Sequence, residues 1–177
     1  MRERSWRRWE LIGLFFTIGA GNLLHFVYEW SGENPVAAVF SGVNESTWEH
    51  MKLLAVPWIL WTVVQMLAQR DSAGLLSARA AGLLAGLAAI PTLFYTYTGI
   101  LGRSISLVNI IIFQMAVLLA FAVSFSLQKG YRLTGLGWQL LGGAVLVTVG
   151  ILFAWWTYLP PQLPLFVDPT TGLAGRP

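Results

Sequence analysis

The chain has no cysteine among its 177 residues, which excludes disulfides, thiolate metal sites and cysteine nucleophiles. Charge is almost as scarce. Asp, Glu, Lys and Arg make up 11% of the sequence, less than half of the roughly 25% found in soluble domains, and too little to cover a water-facing surface. Glycine-rich phosphate loops, Gly-x-Ser-x-Gly elbows and His-Glu-x-x-His zinc motifs are missing as well, so any catalysis here uses no familiar local signature. The net charge is only +3 and its basic residues crowd the amino end, which argues against a nucleic-acid partner. No internal repeat or low-complexity linker interrupts residues 1–177, and that length fits a single domain.

What the chain has in abundance is apolar sequence: 56% hydrophobic residues and a mean hydropathy of +0.64. A membrane-spanning helix needs about 20 predominantly apolar residues. Five stretches qualify, near 11–30, 51–69, 80–101, 104–127 and 136–159. The predicted fold class is therefore all-α: a polytopic membrane protein, a bundle of five transmembrane helices with the lipid bilayer as its first partner. Between the first two spans, Asn34-Pro35 followed by Val36–Phe40 reads as a cap, a first-turn proline and a short interfacial helix ending by Gly42. Gly82, Gly86, Gly142 and Gly143 are small residues suited to close helix packing.

Orientation follows from Lys and Arg. Arg2, Arg4, Arg7, Arg8, Arg70, Arg79, Lys129 and Arg132 share the side of the amino terminus, against Lys52, Arg103 and Arg176 on the other, so 8 of 11 lie together. Cytoplasmic loops carry such an excess, so the amino terminus is expected inside and the tail, residues 160–177, outside. Trp6 and Trp9 would then mark the inner interface, and Trp30, Trp48, Trp155, Trp156 and Tyr158 the outer.

The acidic residues and imidazoles sort the opposite way. Glu29, Glu33, Glu45, Glu49 and Asp168 are expected on the outer side, together with both histidines, His25 and His50. At ~1.5 Å rise per residue His25 lies roughly 7 Å below the end of the first helix, and ionisable groups at membrane depth mark function by default. Asn22, His25 and Glu29 share one helix face by their spacing of three and four, and Glu45 and Glu49 share another. Facing each other, His25, Glu29, Glu45 and Glu49 would form the chemical centre, as acid–base groups or, with His50, as ligands of a divalent zinc, manganese or iron ion. Asn22, Asn44, Lys52 and Asp168 would support it. Simpler roles stand beside these: Ser46-Thr47-Trp48-Glu49 has the form of a capping box, Lys52 can pair with Glu49 or Glu45, and Asp168-Pro169-Thr170 can be a turn cap. The tail is barred from helix by Pro160, Pro161, Pro164 and Pro169 yet apolar at Leu163, Leu165, Phe166 and Val167, so it is expected to fold back over the bundle as a strap.

The segments HFVYEWSGENP, FSGVNESTWEHMK and PPQLPLFVDPTTG together resemble a family of small bacterial integral membrane proteins of unknown function. The resemblance covers the first two helices, their connection and the tail. It implies a multi-pass protein of the bacterial cytoplasmic membrane and brings no activity with it. The His25-x-x-x-Glu29 pair alone is also similar to the site of membrane sterol isomerases and their ligand-binding relatives, where an acidic and histidine centre faces a lipid cavity.

Two classes of function follow from the residues. One is a membrane-embedded enzyme, metal-assisted or acid–base, acting on a lipid or small molecule at the outer site. The other is a non-enzymatic subunit that binds a cation or ligand, or assembles with partners, itself included as a homo-oligomer. Topology is testable first: reporter fusions at the two termini should report opposite sides of the membrane, and the same side for both would refute the five-span reading.

Overall fold

The computed structural model describes residues 2–69, 73–130 and 132–176. Arg70 and the side chains of Arg2 and Arg4, counted above, lie outside the described residues. The elements are α1 (Arg2–Trp30), α2 (Pro35–Phe40), α3 (Thr47–Ala68), α4 (Leu75–Leu101), α5 (Ser106–Lys129) and α6 (Leu136–Tyr158), followed by one 3₁₀ turn at Pro164–Phe166. All except α2 and the 3₁₀ turn are long and apolar enough to cross a membrane, five helices in total. Among the described residues there is no strand beyond a single antiparallel bridge between Val167 and Ala174. The end of the bundle where α1 begins is called proximal below, and the end where α1 finishes and α3 begins, distal.

α1, α3 and α4 start earlier than their apolar runs. α3 begins at Thr47 because the Ser46 hydroxyl accepts a hydrogen bond from the Glu49 amide at 3.3 Å, so the cap lies within the charged segment. α4 begins at Leu75, which places Arg79 inside a helix instead of a loop. Trp6 and Trp48, expected in the interfacial belts, are buried, whereas Trp30 and Trp155 are exposed. Trp48 is drawn in by aromatic partners, with ring centroids 4.3 Å from Phe153 and 4.7 Å from Phe166.

Small residues set the helix spacing. A side-chain carbon at Gly82 would fall 2.5 Å from the Ala120 carbonyl oxygen, and one at Gly142 would fall 2.6 Å from the Leu76 backbone, so α4 meets α5 and α6 at backbone distance. α1 and α3 meet in the same way at Gly21, where a side chain would come within 2.8 Å of the Leu53 carbonyl oxygen. That carbonyl is free because its helical partner four residues on is Pro57, which has no N–H.

The proximal half holds a buried polar network that the hydropathy profile conceals. Arg79, fully buried, bonds Glu10 through Nη2 at 2.9 Å, and the same Nη2 donates to Gln65. Gln128 donates to Glu10 Oε1 at 2.9 Å and to Ser124 at 3.0 Å. The guanidinium lies 4.8 Å and 5.0 Å from the ring centres of Trp58 and Phe121, a cation–π arrangement. Thus α1, α3, α4 and α5 all converge on one cation. Removing one member of a buried pair typically costs about 3–5 kcal/mol, while apolar replacement of both is far milder. Arg79→Ala should therefore lower the melting temperature in detergent much more than the double substitution Glu10→Leu with Arg79→Met; equal losses would show that the pair is not energetically coupled.

Candidate functional site

At the distal end, α1 turns through residues 31–34 into α2, whose first amide, from Val36, donates to Asn34 Oδ1 at 2.8 Å. Ala38 packs with Tyr28 and Val43 in a small cluster. Beneath it Lys52 is completely buried, and its ammonium meets Glu49 Oε2 at 2.5 Å, the Ala38 carbonyl at 2.8 Å and Thr157 Oγ1 at 2.8 Å. Glu49 Oε2 also accepts the Val43 amide at 3.2 Å. The structure thus turns Glu49 and Lys52 toward each other and away from any cavity. Their charge is consumed in holding α2, α3 and α6 together.

The next residues present the open chemistry. Asn44 accepts the Ser46 amide through Oδ1 and donates from Nδ2 to the Gly175 carbonyl, both at 2.9 Å, which leaves Glu45 exposed between two imidazoles. His25 Nε2 is 3.5 Å from Glu45 Oε1, and His50 Nε2 is 3.6 Å from Glu45 Oε2. The two rings are 5.6 Å apart. His50 Nδ1 is 2.9 Å from the Ser46 carbonyl; a carbonyl can only accept, so Nδ1 carries a proton and Nε2 is the nitrogen that faces Glu45.

These groups line a cavity of about 530 Å³, within the roughly 300–1,000 Å³ of small-molecule sites. Gly21, Leu53 and Phe113 form its floor, where α1, α3 and α5 come closest. One wall is polar: Tyr97 donates to Asn109 Oδ1, and Asn109 Nδ2 donates to Ser104 at 3.0 Å. The opposite wall carries Asn22 and His25 of α1. Phe26 of α1 and Ile110 of α5, both exposed, line the cavity, so its mouth is apolar on that side. Behind Glu45 and His50 a narrow extension of about 20 Å³ runs to Ile90 and Ile112, room for about one water molecule.

The tail forms the roof. Phe166 is buried against Trp48 and Trp156, and Arg176 fastens the far end: its amide donates to the Thr157 carbonyl at 2.9 Å, Nε to the Tyr28 hydroxyl at 3.0 Å and Nη2 to the Glu33 carbonyl at 3.2 Å. Pro169 and Thr170 face the cavity. Asp168 itself does not line it. Its Oδ1 accepts the Thr170 amide at 2.7 Å and the Thr170 hydroxyl at 2.6 Å, the turn-cap arrangement. Burial alone would push this carboxyl up, but bonds from Thr170, from the Glu45 backbone amide and from Thr171 outweigh it and hold the group below the usual aspartate range.

Of the residues expected at the centre, His25, Glu45, His50 and Asn22 come together at the cavity. Glu49, Lys52, Asn44 and Asp168 build the frame around it. Glu29 is exposed and apart from it: the last turn of α1 is anchored through buried Tyr28, ~100° around the helix. The His25–Glu29 pair therefore does not share a pocket. Among the described residues, no three His, Asp or Glu side chains are grouped to hold a metal ion. Ser104 and Ser106 were not singled out in the sequence; uncharged and near a chain bend, they carry no signal that distinguishes them from ordinary loop residues.

The chain belongs to a family of unknown function, DUF6512, whose model matches residues 1–176. No match was found among curated proteins or among solved structures.

Because the Asp168 carboxyl is held low, its contribution is complete above the ordinary aspartate pKa of about 3.9 and is lost as pH falls through the lower folded value. Digestion by a carboxypeptidase should therefore leave the wild-type tail intact at neutral pH and trim it only below about pH 4. Asp168→Asn should be trimmed faster already at pH 7; identical time courses would show that the cap does not hold the tail.

Proposed function

We propose that this member of a family of unknown function is a membrane-embedded acid–base enzyme whose distal, extracytoplasmic cavity receives a lipid or amphiphilic small molecule. The observation that carries the reading is the single Glu45 carboxylate reached by two imidazoles, one on each oxygen, at the wall of a cavity that is polar on one side and opens between α1 and α5. The orientation rests on the excess of Lys and Arg at the proximal end. Arg79 and Lys52 are each neutralised by a buried partner, one on each side, so the bias between the two sides remains.

In this reading Glu45 accepts a proton from the bound molecule and hands it to the unprotonated Nε2 of His50, whose Nδ1 proton is fixed on Ser46; the same Nε2 then returns it to another atom of the molecule, which leaves both groups as they began, and His25 steadies the other carboxylate oxygen. Positioned groups of this kind contribute roughly 10²–10⁴-fold each. A divalent zinc, manganese or iron ion is the competing version of the same site, but His25, Glu45 and His50 are not grouped to hold one and would have to close around it. The engagement of different carboxylate oxygens by the two imidazoles favours proton exchange.

The test compares membrane extracts by mass spectrometry after expression of the wild type, Glu45→Gln and His50→Ala, with the purified proteins then incubated with the control extract in nanodiscs. The wild type should convert at least one amphiphilic species, and Glu45→Gln should slow that conversion about 100-fold or more without changing the melting temperature, since Glu45 is half exposed. Extracts indistinguishable between wild type and Glu45→Gln would overturn the enzyme in favour of a binding protein.

A further inference from the structure

We infer that the cavity selects an uncharged amphiphile with a hydroxyl-bearing head, and rejects phosphate- and carboxylate-headed lipids. This rests on the proposal that the cavity receives an amphiphile, and it concerns which one.

The first support is charge. Among the described residues, no lysine or arginine lines the cavity. Lys52 lies close by in the fold but is fully buried with all its bonds turned to Glu49, Ala38 and Thr157. Arg176 is held by Tyr28 and Glu33, and Arg103 is exposed without lining the cavity. Glu45 is the one acidic side chain among the residues that line it. An anionic head entering there would be desolvated beside a like charge, with no guanidinium or ammonium to meet it.

The second support is hydrogen-bond capacity. Most polar groups of the wall are already engaged: Asn22 Nδ2 with the Ile18 carbonyl, Asn109 with Tyr97 and Ser104, the Thr170 hydroxyl with Asp168 and His50 Nδ1 with Ser46. The strongest capacity facing the cavity is the pair of Glu45 oxygens, which only accept. A ligand that satisfies them must donate. An ammonium would donate too, but a desolvated one needs several acceptors, as Lys52 takes three in this same fold, and the cavity offers one carboxylate. A hydroxyl needs one.

Three photoactivatable diazirine probes with the same acyl chain separate the terms: a monoacylglycerol, the corresponding lysophosphatidic acid and the fatty-acid methyl ester. They are offered to the full-length protein in phosphatidylcholine nanodiscs, and labelled peptides are mapped. The monoacylglycerol should label the segments around Phe26 and Ile110 about tenfold more than either other probe, the scale of one charge-assisted hydrogen bond. Glu45→Gln should bring its labelling toward that of the ester. Ser106→Lys, which adds a cation at an exposed position of the wall, should admit lysophosphatidic acid. Equal or better labelling by lysophosphatidic acid in the wild type would overturn the head-group inference while leaving the cavity as an amphiphile site. Labelling of these segments no stronger than that of lipid-facing Leu118 and Val147, by all three probes, would overturn both.

Discussion

The distal half of this protein hangs on one ammonium group. Lys52 has no contact with solvent, so its charge must be met within the protein, and three acceptors from three elements meet it: Glu49 on its own helix, the Ala38 carbonyl of α2 and Thr157 of α6. The same Glu49 oxygen takes the Val43 amide. α2, the segment entering α3, and the end of α6 are therefore fixed relative to α3 before any ligand is considered. Glu45 owes its position to this arrangement, because it stands on the short link between Val43 and the Ser46 cap.

A second buried pair, Arg79 with Glu10, does the same work at the proximal end and joins α1 to α4. In both places the membrane interior removes the alternative of solvation, so charge acts as a specific joint between helices that otherwise attract each other only through close packing. Among the described residues, Glu10 Oε2 and Arg79 Nε and Nη1 of the proximal network have no hydrogen-bond partner. The distal pair is closed by comparison. That difference separates the frame from the chemistry: with Glu49 and Lys52 occupied by each other, His25, Glu45 and His50 are the ionisable groups that the cavity can use.

The tail shows how late residues complete an early site. Phe166 fills the aromatic gap over Trp48, and Arg176 reaches back to the end of α1. Between these two anchors, the Asp168 turn lays Pro169 and Thr170 over the cavity and touches the Glu45 backbone. A cavity lined by α1, α3, α5 and the tail together requires all of them to be placed, which a marginal strap could not do without its two anchors.

Hydropathy and spacing made the helices legible, along with the α2 cap, the capping box at Ser46 and the gathering of His25, Glu45 and His50 toward one end. These are local or one-dimensional properties: a run of apolar residues can satisfy its backbone in a bilayer only as a helix, and residues three or four apart share a face. That Lys52 would pair with Glu49 or Glu45 was legible too; which of the two glutamates it would take, and which would face a cavity, was not. Glu45 and Glu49 share one spacing and one charge, and only the position of Lys52 relative to α2 and α6 turned the second into a structural anchor. Arg79 was counted only as a topology signal, because nothing in a linear chain records that two helices will bring it to 2.9 Å from Glu10, 69 residues away. The sequence determined how many helices form and where their polar residues lie along them; the tertiary structure decided partners and cavity, because pairing in a low-dielectric interior depends on distances between helices that no sequence separation encodes.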